Sequence, residues 1–250
     1  MTFIDIHCHI DMCNGKTSEI VLRAKKAGIG IILSSGINPE RIKKTLELSD
    51  NFKEIKVALG IYPVEALELE DKELDKEIYF IRKNAKNIVA IGEVGMDMKE
   101  GKEIDRQINN FSKFILLSKE LDVPIIVHSR KAELECIELL EKLGAKKVIM
   151  HCFSGNFKLV ERIKNNRWNF SIPANITFSE HFQKLAREVP IEQLFCETDS
   201  PYLHPVKGMY NNEPANVVEG YKKIAEIKGI SLKECEREIE NNYKRLFLGK

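Results

Sequence analysis

Along this chain a short run of β-branched and apolar residues is followed, again and again, by a longer segment with helical apolar spacing. Phe3–Cys8 leads into a helix predicted over Ser18–Ala27, and Gly30–Ser34 into one that opens at Pro39 and runs through Glu47. Lys56–Leu59 precedes a charged helix over Asp71–Asn84, and Ile88–Gly92 a long one over Ile104–Leu121. Ile125–His128 precedes Ala132–Leu143, where Gly144 supplies a helix stop. Val148–His151 precedes Lys158–Lys164, and Trp168–Ile172 precedes Glu180–Arg187. Leu194–Glu197 is followed by helices over Asn216–Lys228 and Leu232–Phe247.

About eight βα units in 250 residues match the length and rhythm of a (β/α)8 barrel. Strands that are apolar on both faces suit a parallel sheet covered by helices. A doubly wound open sheet shares the alternation, but the unit count and the placing of polar residues select the closed α/β barrel. No Pro/Gly/Ser-rich linker divides the sequence, so residues 1–250 are read as one domain.

Composition excludes a disordered chain, a collagen-like fibre and a disulfide scaffold. Lys and Arg total 39 against 38 Asp and Glu, a net charge of +1, so any hold on a polyanion must be local. Six scattered cysteines without a CxxC pair, and an N-terminus without a basic-then-apolar leader, lead us to expect reduced thiols in the cytoplasm. The apolar runs are too short to span a membrane.

A barrel carries its chemistry at the C-terminal ends of its strands. The unusual polar residues fall there: His7 and His9 at the first strand end, Glu93 at the fourth, His128 at the fifth, His151 at the sixth, Asp199 at the eighth. In His7-Cys8-His9 the alternation of a strand points both imidazoles one way and Cys8 the other. Singly, each group has a plain reading. Glu93, between Gly92 and Gly95, suits a bridge between two cations or a solvated turn; a lone His128 suits a core; Asp199 suits a turn or cap. Jointly they offer four imidazoles and two carboxylates from five strand ends, enough for two divalent ions sharing Glu93. His181 and His204 read as surface and loop residues.

With these segments in view, the chain resembles the TatD family of metal-dependent hydrolases, within the amidohydrolase superfamily of barrels. The resemblance runs nearly end to end. It rests on Asp5-Ile6-His7-Cys8-His9, Gly92-Glu93-Val94-Gly95-Met96-Asp97, Pro124 to Arg130, His151-Cys152-Phe153-Ser154-Gly155, Glu197-Thr198-Asp199-Ser200-Pro201-Tyr202-Leu203 and Asn212-Glu213-Pro214. It implies one metal on His7, His9, Glu93 and Asp199, a second on Glu93, His128 and His151, and Asp199 as general base. It also implies phosphodiester hydrolysis of DNA, often from an end. The chain departs from the family pattern where Tyr62 and Val64 stand in place of common histidines and Met98 in place of a tyrosine.

A deoxyribonuclease is therefore the leading expectation, with Arg130 and Lys207 as candidate phosphate contacts. A metal-dependent amidohydrolase or esterase of a small molecule is the alternative, and a non-catalytic metal-binding barrel the third reading. Imidazole with carboxylate suits zinc, manganese, iron or nickel; magnesium prefers oxygen.

Overall fold

The computed structural model describes residues 2–249; residues 1 and 250, the ends of the expected domain, lie outside the described residues. The strands are β1 (Phe3–Cys8), β2 (Ile29–Gly36), β3 (Ile55–Leu59), β4 (Ala90–Gly95), β5 (Ile125–His128), β6 (Val148–His151), β7 (Asn169–Pro173) and β8 (Leu194–Glu197). They form one eight-stranded sheet in chain order, and the pairs with a defined register are parallel. Helices α1 (Thr17–Lys26), α2 (Pro39–Asn51), α3 (Pro63–Glu68), α4 (Asp71–Lys83) and α5 (Ile104–Leu121) alternate with the first strands. They are followed by α6 (Glu133–Lys142), α7 (Phe157–Asn165), α8 (Glu180–Glu188), α9 (Val217–Lys228) and α10 (Leu232–Phe247). Parallel neighbours in chain order need a crossover between each pair, and here helices provide it. This is the expected element order of a (β/α)8 barrel.

Contacts divide the chain into two compact units: one holds residues up to Ser34, Leu48–Lys56 and everything from Asn169, the other Ser35–Glu47 and Val57–Trp168. In the first, Ile4, Ile6, Phe170, Phe195 and Ile224 are buried, and α9 and α10 pack on β1 and β8. The Tyr221 hydroxyl on α9 accepts from the Ile4 N–H at 3.1 Å and donates to the Ile4 carbonyl at 3.0 Å. Tyr221→Phe is expected to lower stability by about 1–3 kcal/mol, because both backbone groups are left buried and unpaired. Urea unfolding with an unchanged m-value would show it; an unshifted midpoint would refute it.

In the second unit β4, β5 and β6 are buried almost throughout, and Phe111, Phe114 and Ile115 of α5 are fully buried. The boundaries of β1, β5, β6, β8, α5 and α10 coincide with the predicted ones. Two differences matter. First, β4 begins at Ala90 and continues through Gly95, so Glu93 lies inside the strand and not beyond its end. The sequence pattern ends the strand at Gly92, yet across a register shift between Ile91 and Val94 it runs on to Gly95. Second, α3 follows β3 unpredicted, since six residues are too few to display a helical period.

Candidate metal centre

In the first unit, His7 near the end of β1 and His9 just after it are both buried, their rings 4.9 Å apart and nearly perpendicular. Cys8 between them is fully buried, as strand alternation requires. Asp199 lies just after β8 with φ of 50°, a left-handed conformation that Asp tolerates better than most residues. Two backbone bonds tie this turn to the end of β1. The Asp199 N–H donates to the His7 carbonyl at 3.0 Å, and the His9 N–H donates to the Ser200 carbonyl at 2.8 Å.

Asp5 fixes the turn from below. Its carboxylate accepts from the Thr198 N–H at 2.8 Å and from the Thr198 hydroxyl at 2.6 Å. Thr198 Oγ in turn accepts from the Ser200 N–H at 3.2 Å. Burial pushes the Asp5 carboxyl well up, and the two Thr198 donors offset part of that rise. Asp199 Oδ1 consequently sits 3.5 Å from His7 Nε2 and 3.6 Å from His9 Nε2. These separations exceed a hydrogen bond. They match instead the spacing of about 3.3 Å between ligands that each stand about 2.0–2.1 Å from a tetrahedral ion. Two imidazole nitrogens and a carboxylate oxygen gathered in this way fit a divalent cation.

In the second unit, Glu93 on β4, His128 at the end of β5 and His151 at the end of β6 converge. Glu93 Oε1 lies 2.8 Å from His128 Nδ1 and 3.7 Å from His151 Nε2, and the two rings are 6.3 Å apart in a stacked orientation. The 2.8 Å contact is of hydrogen-bond length and the 3.7 Å one is not, while the groups themselves are of the imidazole and carboxylate type that divalent ions take. Gly95 makes the close approach of β4 to β5 possible. It pairs with His128 and has φ of 145°, and a Cβ there would run into the His128 carbonyl oxygen. Gly95→Ala is therefore expected to disturb His128 and reduce metal uptake; full uptake in that variant would count against this role.

The far side of His128 meets Asp97. His128 Nε2 lies 3.0 Å from Asp97 Oδ2, and the Tyr62 hydroxyl donates to the same oxygen at 2.8 Å. Burial raises the Asp97 carboxyl, but bonds from His128, the Glu100 N–H and Tyr62 outweigh it and hold the group well below the carboxylate range. Burial depresses His128, yet Asp97 and Glu93 more than compensate and lift its pKa to about 9. Burial, then the bond to Asp97, raises Tyr62 far above its ordinary value.

The other sequence candidates divide. Arg130 is partly exposed and already bonded to Glu100 Oε1 at 2.7 Å. Lys207 is exposed on the segment between β8 and α9. His204 Nδ1 accepts from the Val206 N–H at 3.0 Å, which closes a local turn. His181 is half-buried on α8 beside Phe182. Met98 accepts at Sδ from Gln107 Nε2, and Val64 lies on α3. Neither Asp5 nor Asp97 stands out as a functional group in the sequence, where Tyr62 is notable only as a departure from the family pattern. An acidic residue within an apolar strand run was the signal available for Asp5.

The model of the family described as TatD related DNase matches residues 4–248. An uncharacterized metal-dependent hydrolase of Methanocaldococcus jannaschii is 36% identical over 247 residues, covering 98% of this chain and 96% of that one. Human deoxyribonuclease TATDN3 is 33% identical over 260 residues, covering 98% and 94%. The crystal structure of YjjV, the TatD homologue of Escherichia coli, superposes with a TM-score of 0.90 at 25% identity over 98% of both chains. The chain thus has the (β/α)8 barrel fold and belongs to the TatD family of metal-dependent hydrolases.

Proposed function

We propose that this chain is a metal-dependent phosphodiesterase that removes nucleotides from DNA, the whole chain acting as one catalytic domain. The observation that carries the reading is the His7–His9–Asp199 set, whose nitrogen and oxygen atoms already stand at ligand spacing. The name of the human relative supports DNA as substrate. In this reading His7, His9, Glu93 and Asp199 hold one divalent ion, and Glu93, His128 and His151 hold a second. A barrel gathers such strand-end groups at one rim. Bound divalent ions there would acidify water and neutralise charge on the phosphoryl group.

Asp199 takes the proton of the attacking water: its side chain is 15% exposed, unlike the buried histidines beside it. Glu93 holds its place through the β4–β5 pairing. Arg130 would exchange Glu100 for a phosphate oxygen, a trade that guanidinium geometry favours. Lys207 adds a point charge on the exposed loop. All six cysteines are free thiols, which supports a reducing cytoplasmic setting. Among the described residues no helix is long and apolar enough to cross a membrane.

A small amide or ester substrate is the second reading, favoured by the ion pair that engages Arg130 and by the bonding of Tyr62 to Asp97. One experiment separates them. Chelator-stripped protein is reloaded with Zn²⁺, Mn²⁺, Ni²⁺ or Mg²⁺ and offered end-labelled single- and double-stranded DNA beside an amide and ester panel. Metal-restored release of nucleotides is the expected result. Turnover of amides or esters alone would replace the nuclease reading, and metal binding without any turnover would leave a non-catalytic barrel.

A further inference from the structure

His128 is placed by neighbours on both of its ring nitrogens, with Nδ1 2.8 Å from Glu93 Oε1 and Nε2 3.0 Å from Asp97 Oδ2. A neutral imidazole that offers one nitrogen to a cation must keep its proton on the other. For Nδ1 to be the ligand, the group facing Nε2 must be an acceptor. Asp97 is one, and its surroundings prevent it from being anything else. Its Oδ1 receives the N–H groups of Lys99 and Glu100 at 2.9 and 3.0 Å, and its Oδ2 receives Tyr62. Its backbone is clamped as well, since Gln107 Oε1 accepts from the Asp97 N–H at 2.7 Å and Gln107 Nε2 donates to the Asp97 carbonyl at 3.1 Å. The side chain is fully buried. Three donors therefore fix the two carboxylate oxygens, Arg130 Nη1 stands 4.0 Å from Oδ2, and at 3.0 Å from the same oxygen His128 Nε2 is placed to donate its proton.

We infer that Asp97, braced by Tyr62 and Gln107, is the positioning residue that holds His128 in its Nε2–H form and so presents Nδ1 to the second ion. The inference rests on the metal-centre reading above and adds to it a group that touches neither metal nor substrate. Tyr62 acquires a role as well, because its phenol occupies part of Oδ2 and stands 3.3 Å from His128 Nε2, which keeps the ring from turning. Carboxylates behind metal-bound histidines typically contribute about 10–100-fold in metal affinity.

Asp97→Asn is the informative change because its outcome is directional. The Lys99 and Glu100 N–H groups select the carboxamide oxygen at the Oδ1 position, so the amide NH2 faces His128. Nε2 must then accept, the proton moves to Nδ1, and the ligand nitrogen is blocked, as in the wrong-tautomer effect of an Asp-to-Asn change behind a catalytic histidine. The test uses full-length protein labelled with ¹⁵N-histidine and titrated with Zn²⁺. His128 is identified by the signals lost in His128→Gln. Wild type is expected to show a protonated Nε2 and a metal-shifted Nδ1, with two ions retained per chain. Asp97→Asn is expected to show a protonated Nδ1 and a second-ion affinity about 10–100-fold lower, with the His7–His9–Asp199 ion retained.

Tyr62→Phe is expected to keep the tautomer and weaken the second ion by a smaller factor. If Asp97→Asn does not fold, the wild-type spectrum still decides, because a metal-loaded His128 protonated at Nδ1 overturns the inference. Unchanged His128 signals and affinity in Asp97→Asn overturn it too, while leaving the metal centre standing. A wild-type His128 that does not respond to Zn²⁺ overturns the metal-centre reading itself and this inference with it.

Discussion

Asp199→Asn is expected to reduce kcat for release of nucleotides from end-labelled DNA by about 10²–10⁴-fold, the range for loss of a general base. The change is nearly isosteric and conserves the fold. The Asp199 N–H that donates to the His7 carbonyl is untouched, and Asn tolerates the left-handed φ of 50° as well as Asp does. What disappears is the proton acceptor, while a carboxamide oxygen can still face His7 and His9. The thermal midpoint should therefore stay close to wild type while turnover collapses. Turnover within tenfold of wild type, at equal metal content, would remove Asp199 from the role of base. Asp199→Ala separates proton transfer from metal binding, since it should lose metal at the His7–His9 site as well.

The second large effect is expected at Asp5, which faces no substrate. Asp5→Ala removes the acceptor of two buried donors, the Thr198 N–H and hydroxyl. The hydroxyl can turn to Ser200 Oγ, 3.0 Å away, but the orphaned Thr198 N–H costs about 1–3 kcal/mol. A chain of this size loses about 2–4 °C of Tm per kcal/mol, so a fall of at least about 2 °C is expected by calorimetry. Activity should fall further than stability, because Thr198 and Ser200 anchor the turn that carries Asp199. Asp5→Asn, which retains one acceptor, should sit between Ala and wild type. A fully active, fully stable Asp5→Ala would show that the turn holds its shape without the carboxylate.

Much of this molecule was legible before any coordinates. The βα alternation identified every strand, because strands buried on both faces carry unbroken apolar runs with hardly any competing helical period. The His7-Cys8-His9 triplet was readable for a similar reason: a period of two decides which side chains share a face, and the structure places the two rings together. Three things were not legible. The extent of β4 depends on how Gly92 and Gly95 fit against β5, a tertiary matter that local pattern cannot carry. The partnership of Asp97 with His128 joins residues 31 positions apart through side-chain geometry alone. Asp5 reaches Thr198 across 193 positions, and nothing in either segment announces the other.

That last separation sets a timetable for the molecule. Asp5 is made 193 residues before Thr198, so the packing of β1 on β8 and its bonds to Thr198, Asp199 and Ser200 await a much later segment. Contacts of such long range carry the largest loop-closure penalty and form slowly. During synthesis the His7–His9 pair is exposed without its carboxylate partner, and it acquires one only when the first and last strands meet. Capture of a cation at His7, His9 and Asp199 would then act as a latch between β1 and the turn after β8, rewarding their meeting only once both segments exist.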